Sequence, residues 1–138
     1  MPVAPLPQVA APTSTTPPLF HAELLTTFIS ASRSGDLEAL TRMLTADARI
    51  VADGGGKVPA ALNVIEGAER SAAFISGAVR KGWREDFAVR FDIVNGLPGI
   101  VVTSPDRVIQ TTAFDIEDGV VKAIYIVRNP DKLRHLTA

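Results

Sequence analysis

The chain has 138 residues, a length that predicts a single domain. Its hydrophobic fraction of 46% and charged fraction of 21% are typical of a globular protein and exclude general disorder. The formal charge of −1 provides no excess of positive charge for binding nucleic acid directly or for binding an anionic membrane. Cysteine is absent and the two histidines, His21 and His135, are far apart in sequence, so we expect no metal site and no cofactor.

Residues 1–18 differ in composition from the rest of the chain. They contain six of the ten prolines and no charged side chain. They lack the basic start and continuous apolar run of a signal peptide, and no stretch of the sequence is long enough to span a membrane. We therefore predict a flexible proline-rich arm at 1–18, a folded domain at 19–138, and a cytoplasmic location.

Three helices are predicted in the first part of the folded region. Thr16 is a candidate N-cap for the first, with prolines in its first turn, and Gly35 ends it. Asp36 is the candidate N-cap of a second helix that follows at once. A third helix fits residues 67–80, where apolar side chains recur at helical spacing.

Strands are predicted at 47–52 and around 61–65, and then as a series after Gly82. There the hydrophobic period changes from 3.6 to 2, which indicates strands with one buried face. Asn95-Gly96 is a strong hairpin signal, and two further turns separate the later strands. The strands after Gly82 are predicted at 87–94, 97–103, 107–117 and 120–127.

The last strand is apolar on both faces. Strict alternation predicts one face formed by Val120, Ile124 and Ile126, and the other by Val121, Ala123, Tyr125 and Val127. One face can pack on the helices, whereas the other needs a different cover. A second copy of the sheet supplies that cover, so we expect a homodimer formed through the sheet.

Helices followed by a meander of strands are an α+β plan. We expect a curved, mainly antiparallel sheet wrapped around the three helices, which makes a cone with an apolar interior. A small apolar ligand would bind inside such a cone. The candidate pocket residues are the five aromatic side chains from Trp83 onward: Trp83, Phe87, Phe91, Phe114 and Tyr125.

Four segments carry a family resemblance: SGDLEAL at 34–40, DGGGKVPA at 53–60, VNGLP at 94–98 and VRNPDKL at 127–133. Together with the element order, they resemble SnoaL-like domains of the nuclear transport factor 2 and ketosteroid isomerase-like superfamily. They are most similar to the C-terminal SnoaL-like domain of bacterial extracytoplasmic-function sigma factors. The resemblance implies the cone fold and a regulatory, non-catalytic role through contact with a sigma factor or RNA polymerase. The promoter-reading sigma domains have no counterpart in this sequence, so the chain itself is not expected to read a promoter.

The resemblance also implies which residues make the regulatory or ligand contact. Taken alone, the triple-glycine segment fits either a plain turn or an anion-binding nest, and the closing segment fits a strand exit. The sequence does not show whether these two segments meet in space. The residues concerned are Asp53, Gly54, Gly55, Gly56, Lys57, Asn95, Asn129, Asp131 and Lys132.

Asp53 is also the candidate catalytic residue of an alternative function. A carboxylate at a strand end beside an apolar cavity would have a raised pKa and could transfer a proton. This fits a small isomerase, polyketide cyclase or epoxide hydrolase acting on an apolar ligand. Such an enzyme also needs an oxyanion donor, and the single tyrosine, Tyr125, is not on the first helix as in the isomerase. We therefore favour a non-catalytic module. A third hypothesis is a scaffold whose own side chains fill the cone.

Overall fold

A computed structural model describes residues 21–53 and 63–128. The residues outside these two ranges include the whole of the predicted arm at 1–18. The predicted order of three helices and six strands is confirmed. The elements are α1 Ala22–Ser34, α2 Leu37–Arg42, β1 Leu44–Asp53, β2 Asn63–Glu66, α3 Ala68–Gly82, β3 Ala88–Val94, β4 Leu97–Ser104, β5 Arg107–Glu117 and β6 Val120–Val127.

The six strands form one curved, open sheet in the order β2-β1-β6-β5-β4-β3. All neighbouring strands are antiparallel except β1 and β6, which pair in parallel. The last strand of the chain therefore lies in the middle of the sheet, between the first strand and β5. A central position explains why apolar residues occupy both faces of β6.

The junction between the first two helices forms as the sequence predicts. Gly35 has a left-handed backbone (φ 77°), and the N–H groups of Gly35 and Asp36 both donate to the Ala31 carbonyl oxygen at 3.0 Å. This is a glycine-terminated helix end. The Asp36 carboxylate then accepts a hydrogen bond from the Ala39 N–H at 3.1 Å, which caps α2.

The start of the first helix differs from the prediction. The helix begins at Ala22, because His21 has a left-handed backbone (φ 48°, ψ 47°) that cannot continue a right-handed helix. The predicted N-cap Thr16 lies outside the described residues. The third helix runs from Ala68 to Gly82, one residue later at its start and two residues later at its end than predicted.

The hairpin between β3 and β4 is confirmed. Asn95 and Gly96 both have positive φ, 53° and 81°. Two successive left-handed residues give the type I′ turn, whose twist matches that of the flanking strands. The hairpin fixes the pairing of Val94 with Leu97 and of Val89 with Val102.

The main core lies between the helices and the inner face of the sheet. Its largest fully buried side chains are Phe114, Leu25, Leu40, Ile50, Ile124 and Val121. In β6, Val121 therefore faces the same core as Ile124, and the predicted strict alternation is wrong at this point. The physical reason is a β-bulge: Asp115 pairs with Ala123 and Ile116 with Val121, so Lys122 is an extra residue.

In the part of the chain that the structure describes, no helix is long and apolar enough to cross a membrane. The longest of them, α3, has 15 residues and is rich in charged side chains.

Candidate functional site

A cavity of about 150 Å³ lies between the helices and the inner face of the sheet. Helices α1 and α3 form one wall, and residues of strands β1, β3, β4, β5 and β6 form the other. The wall is mostly apolar, as expected for a site that takes a small apolar molecule. Its central side chains are Phe28, Phe74, Val79, Ile100, Val102 and Ile126.

Three of the five predicted pocket residues line this cavity: Trp83, Phe87 and Phe114. The Trp83 and Phe87 rings meet edge to face, with centroids 5.5 Å apart. Phe91 packs against the main core but does not line the cavity. Tyr125 lies on the opposite face of the sheet, because its neighbours Ile124 and Ile126 both face the core.

Asp53 lies at the end of β1 and lines the cavity, as does Arg128 just after β6. The backbone N–H of Arg128 donates to the Asp53 carbonyl oxygen at 2.8 Å. This bond continues the parallel pairing of Asp53 with Val127. The segments DGGGKVPA and VRNPDKL therefore have their first residues, Asp53 and Val127, side by side at one end of the sheet, a proximity that the sequence alone does not reveal. The other predicted residues of these segments lie outside the described residues: Gly54, Gly55, Gly56, Lys57, Asn129, Asp131 and Lys132.

No protein-family model matches the chain. It is similar in sequence to the ECF RNA polymerase sigma factor SigJ of Mycobacterium tuberculosis, with 30% identity over 124 residues, covering 81% of this chain and 38% of SigJ. The crystal structure of SigJ matches with a TM-score of 0.61 and 28% identity, over 81% of this chain and 43% of that chain. The chain thus spans less than half the length of SigJ.

An NTF-2 like protein of unknown function from Burkholderia xenovorans LB400 shares the fold, with a TM-score of 0.53 and 19% identity over 78% of this chain and 81% of that one. These similarities support a SnoaL-like domain with the fold of the nuclear transport factor 2-like superfamily. The predicted resemblance and the cone-shaped α+β fold are both confirmed. Most of the SigJ sequence lies outside the part that this chain matches.

Three polar residues that line the cavity of the SnoaL-like domain, Arg33, Gln110 and Thr112, were not predicted from sequence. Arg33 lines it from α1, with its guanidinium carbon 5.2 Å from the centroid of the Trp83 ring. Gln110 and Thr112 line it from β5, and the Gln110 side-chain amide donates to the Thr112 hydroxyl oxygen at 2.9 Å. The sequence contains one spacing signal for each element. Arg33 follows the apolar Ile29 by one helical turn, and Gln110 and Thr112 have the same parity along the strand as Phe114.

Asn95 is exposed in the β3–β4 turn and is not part of the cavity lining. Its positive φ gives it a conformational role in the hairpin. Its predicted contact role does not involve the cavity of this SnoaL-like domain.

A second, more polar groove lies on the outer face of the sheet. Tyr125 and Ala123 line it together with charged side chains, namely Asp47, Arg49, Glu66, Asp115 and Lys122. Among the described residues of the SnoaL-like domain, no group of three or more histidine, aspartate or glutamate side chains is placed to hold a metal ion.

Proposed function

We propose that this SnoaL-like domain is a non-catalytic regulatory module. It controls an extracytoplasmic-function sigma factor through contacts near Asp53 and Arg128, and it senses a small apolar molecule in its cavity. The observation that carries the proposal is the hydrogen bond between the Arg128 N–H and the Asp53 carbonyl oxygen. It joins the starts of two of the four segments that carry the resemblance to sigma-factor domains. The sequence similarity to SigJ supports the same role.

The position of these two residues also supports a link between ligand and partner. Asp53 and Arg128 line the cavity and are the last described residues before the DGGGK and NPDKL segments continue. A ligand in the cavity would contact the same strand ends from which a partner contact extends. Regulation then needs only that the ligand binds more tightly to one arrangement of these segments than to another.

In this proposal the regulatory contact includes the residues that follow the two strand ends. Lys57 and Lys132 add positive charge to segments rich in small and polar residues. Charge at a contact between proteins affects the specificity and rate of association more than raw affinity. A cytoplasmic location belongs to the proposal, because RNA polymerase works there.

The test is in vitro transcription with RNA polymerase and the extracytoplasmic-function sigma factors of the same organism. Adding the purified chain should change transcript yield from at least one of their promoters and leave a housekeeping promoter unaffected. Lys57→Ala and Lys132→Ala should weaken the effect. Lys81→Ala is the matched control, since Lys81 is exposed at the end of α3 and does not line the cavity. No effect with any sigma factor would refute the regulatory role.

We also propose a homodimer formed through the outer face of the sheet. A row of small and apolar residues crosses that face from strand to strand, as the pairings of Val64, Val51, Tyr125, Ala113 and Gly99 show. Val64 is 52% exposed at the edge of the row. Charged residues flank the row, which is the arrangement of an apolar interface centre with a polar rim.

Sedimentation at micromolar concentration tests the dimer. The unmodified chain should sediment as a dimer, and Tyr125→Arg should make it a monomer. Ile93→Arg is the control, because Ile93 is 40% exposed in a strand position of the opposite parity to the apolar row. A monomeric unmodified chain would contradict this proposal.

The alternative function is an enzyme of the isomerase, cyclase or epoxide hydrolase kind. It is supported by one observation, the position of the Asp53 carboxylate in the lining of an apolar cavity. Hydrolysis of styrene oxide by the unmodified chain, abolished in Asp53→Asn, would favour it over the regulatory role. The third hypothesis, a scaffold whose own side chains fill the cone, is disfavoured by the cavity of about 150 Å³ inside the cone.

A further inference from the structure

We propose that the cavity binds an apolar compound that carries a carboxylate, and that Arg33 recognises the carboxylate. This inference deepens the proposed sensing function and rests on it. It gives the chemical class of the ligand and the residue that selects it.

Arg33 is the only arginine among the described residues whose side chain has a buried nitrogen, Nη1, without a hydrogen-bond partner. A guanidinium donor that has lost water and gained no acceptor costs free energy. A ligand oxygen that reaches Nη1, after a shift of the side chains that cover this buried atom, would remove that cost. A carboxylate is the best acceptor, because its two oxygens match the planar donor fork of arginine.

The surroundings of Arg33 hold the guanidinium in place. Its carbon lies 5.2 Å from the centroid of the Trp83 ring, a cation–π distance. Trp83 is itself held edge to face by Phe87 at 5.5 Å. A guanidinium positioned by packing has less conformational freedom to lose when an anion binds.

The charge of the cavity favours an anion. The described lining residues include two arginines, Arg33 and Arg128, and one acidic residue, Asp53, so arginine outnumbers carboxylate in the lining. Arg33 lines the cavity from α1, beside Trp83. The rest of the lining is apolar apart from a few uncharged groups such as Gln110 and Thr112, so the body of the ligand must be apolar.

The experiment compares two probes of the same shape, 4-phenylbutyrate and 4-phenylbutan-1-ol, by isothermal titration calorimetry with the full chain. The acid should bind at least ~10-fold more tightly than the alcohol, the effect of one charged hydrogen bond. Arg33→Gln should abolish this preference, by weakening the binding of the acid more than that of the alcohol. Arg33→Lys should keep part of it. The control is Arg42→Gln, because the Arg42 side chain is 68% exposed and pairs with Glu38 outside the cavity.

Each outcome bears on the proposal. Loss of the preference in Arg33→Gln, with the preference retained in Arg42→Gln, supports it. Equal binding of acid and alcohol to the unmodified chain overturns the role of Arg33 but leaves an apolar sensing cavity. Binding of neither probe overturns the role of Arg33 and also the sensing part of the proposed function. The comparison of the two probes on the unmodified chain stands even if a variant does not fold, and circular dichroism verifies the fold of each variant.

Discussion

The rings of Phe28 and Phe114 meet edge to face with their centroids 5.2 Å apart, and both line the cavity. Phe114 is 1% exposed and Phe28 is 3% exposed. The pair joins α1 to β5, so it serves as part of the core and as part of the site. The geometry is a favourable one for aromatic rings.

Phe114→Ala should therefore lower the free energy of unfolding by about 3–5 kcal/mol, through lost burial and an enlarged cavity. Urea unfolding measures the change. Ile93→Ala is the comparison, and it should cost less than ~1 kcal/mol, because Ile93 is 40% exposed. Equal losses in the two variants would show that the Phe28–Phe114 contact contributes little.

Gly99 permits the close approach of β4 and β5. A Cβ at this position would overlap the Thr112 carbonyl oxygen and lie 3.0 Å from Val94 Cγ2. Gly99→Ala should destabilise the fold by about 1–3 kcal/mol, because the backbone must shift. Gly77→Ala is the matched control: nothing lies within 4 Å of its added Cβ, and Gly77 is inside α3. This control should gain about 0.5–1 kcal/mol from helix propensity. A neutral Gly99→Ala would contradict the tight approach.

Local rules account for most of what could be predicted from the sequence. Apolar spacing and turn residues predicted the order of the helices and strands, with errors at several of their ends. Gly35, Asp36 and Asn95-Gly96 marked ends and turns correctly, since their chemistry acts on the backbone next to them. The predicted faces of β6 were wrong next to Lys122. The β-bulge there depends on how β5 and β6 pair, and the residue pattern of β6 alone does not show it.

The site was harder to predict because it depends on contacts between distant parts of the chain. The parallel pairing of β1 with β6 places Asp53 beside Arg128, 75 positions apart in the numbering. The register of two strands separated by one helix and four other strands cannot be read from either strand alone. Arg33 was not predicted to line the cavity, because a charged residue at a helix end is usually exposed to solvent. Its contact with the Trp83 ring is known only from the structure.

The Asp36 side chain stabilises the start of α2. Its Oδ1 accepts a hydrogen bond from the Ala39 N–H at 3.1 Å, and α2 has only six residues. Asp36→Ala should lower the free energy of unfolding by about 0.5–2 kcal/mol. Asp36→Asn keeps an acceptor at this position and should lose much less. Thermal unfolding of the two variants measures the difference, and equal losses would exclude the cap as the cause.

Asp106, in the turn between β4 and β5, gives the one pH effect that the described residues support. The Ser104 hydroxyl donates to its Oδ1 at 2.8 Å, and this bond, followed by a backbone hydrogen bond, lowers the pKa of Asp106 below its ordinary value of 3.8. A carboxyl whose pKa is lower in the folded state stabilises the fold above the unfolded pKa, and that contribution disappears as pH falls through the folded pKa.

Ser104→Ala should therefore raise the pKa of Asp106 toward 3.8. It should also remove the loss of folding stability that protonation of Asp106 causes below that pH. Ser104→Thr keeps the hydroxyl and should keep the lowered pKa. Titration of the Asp106 side-chain carboxyl by NMR measures both variants directly. If Ser104→Ala leaves the Asp106 pKa where it is in the unmodified chain, the hydroxyl is not the main cause. The smaller backbone hydrogen bond and the charge of Arg107 would then have to account for the shift.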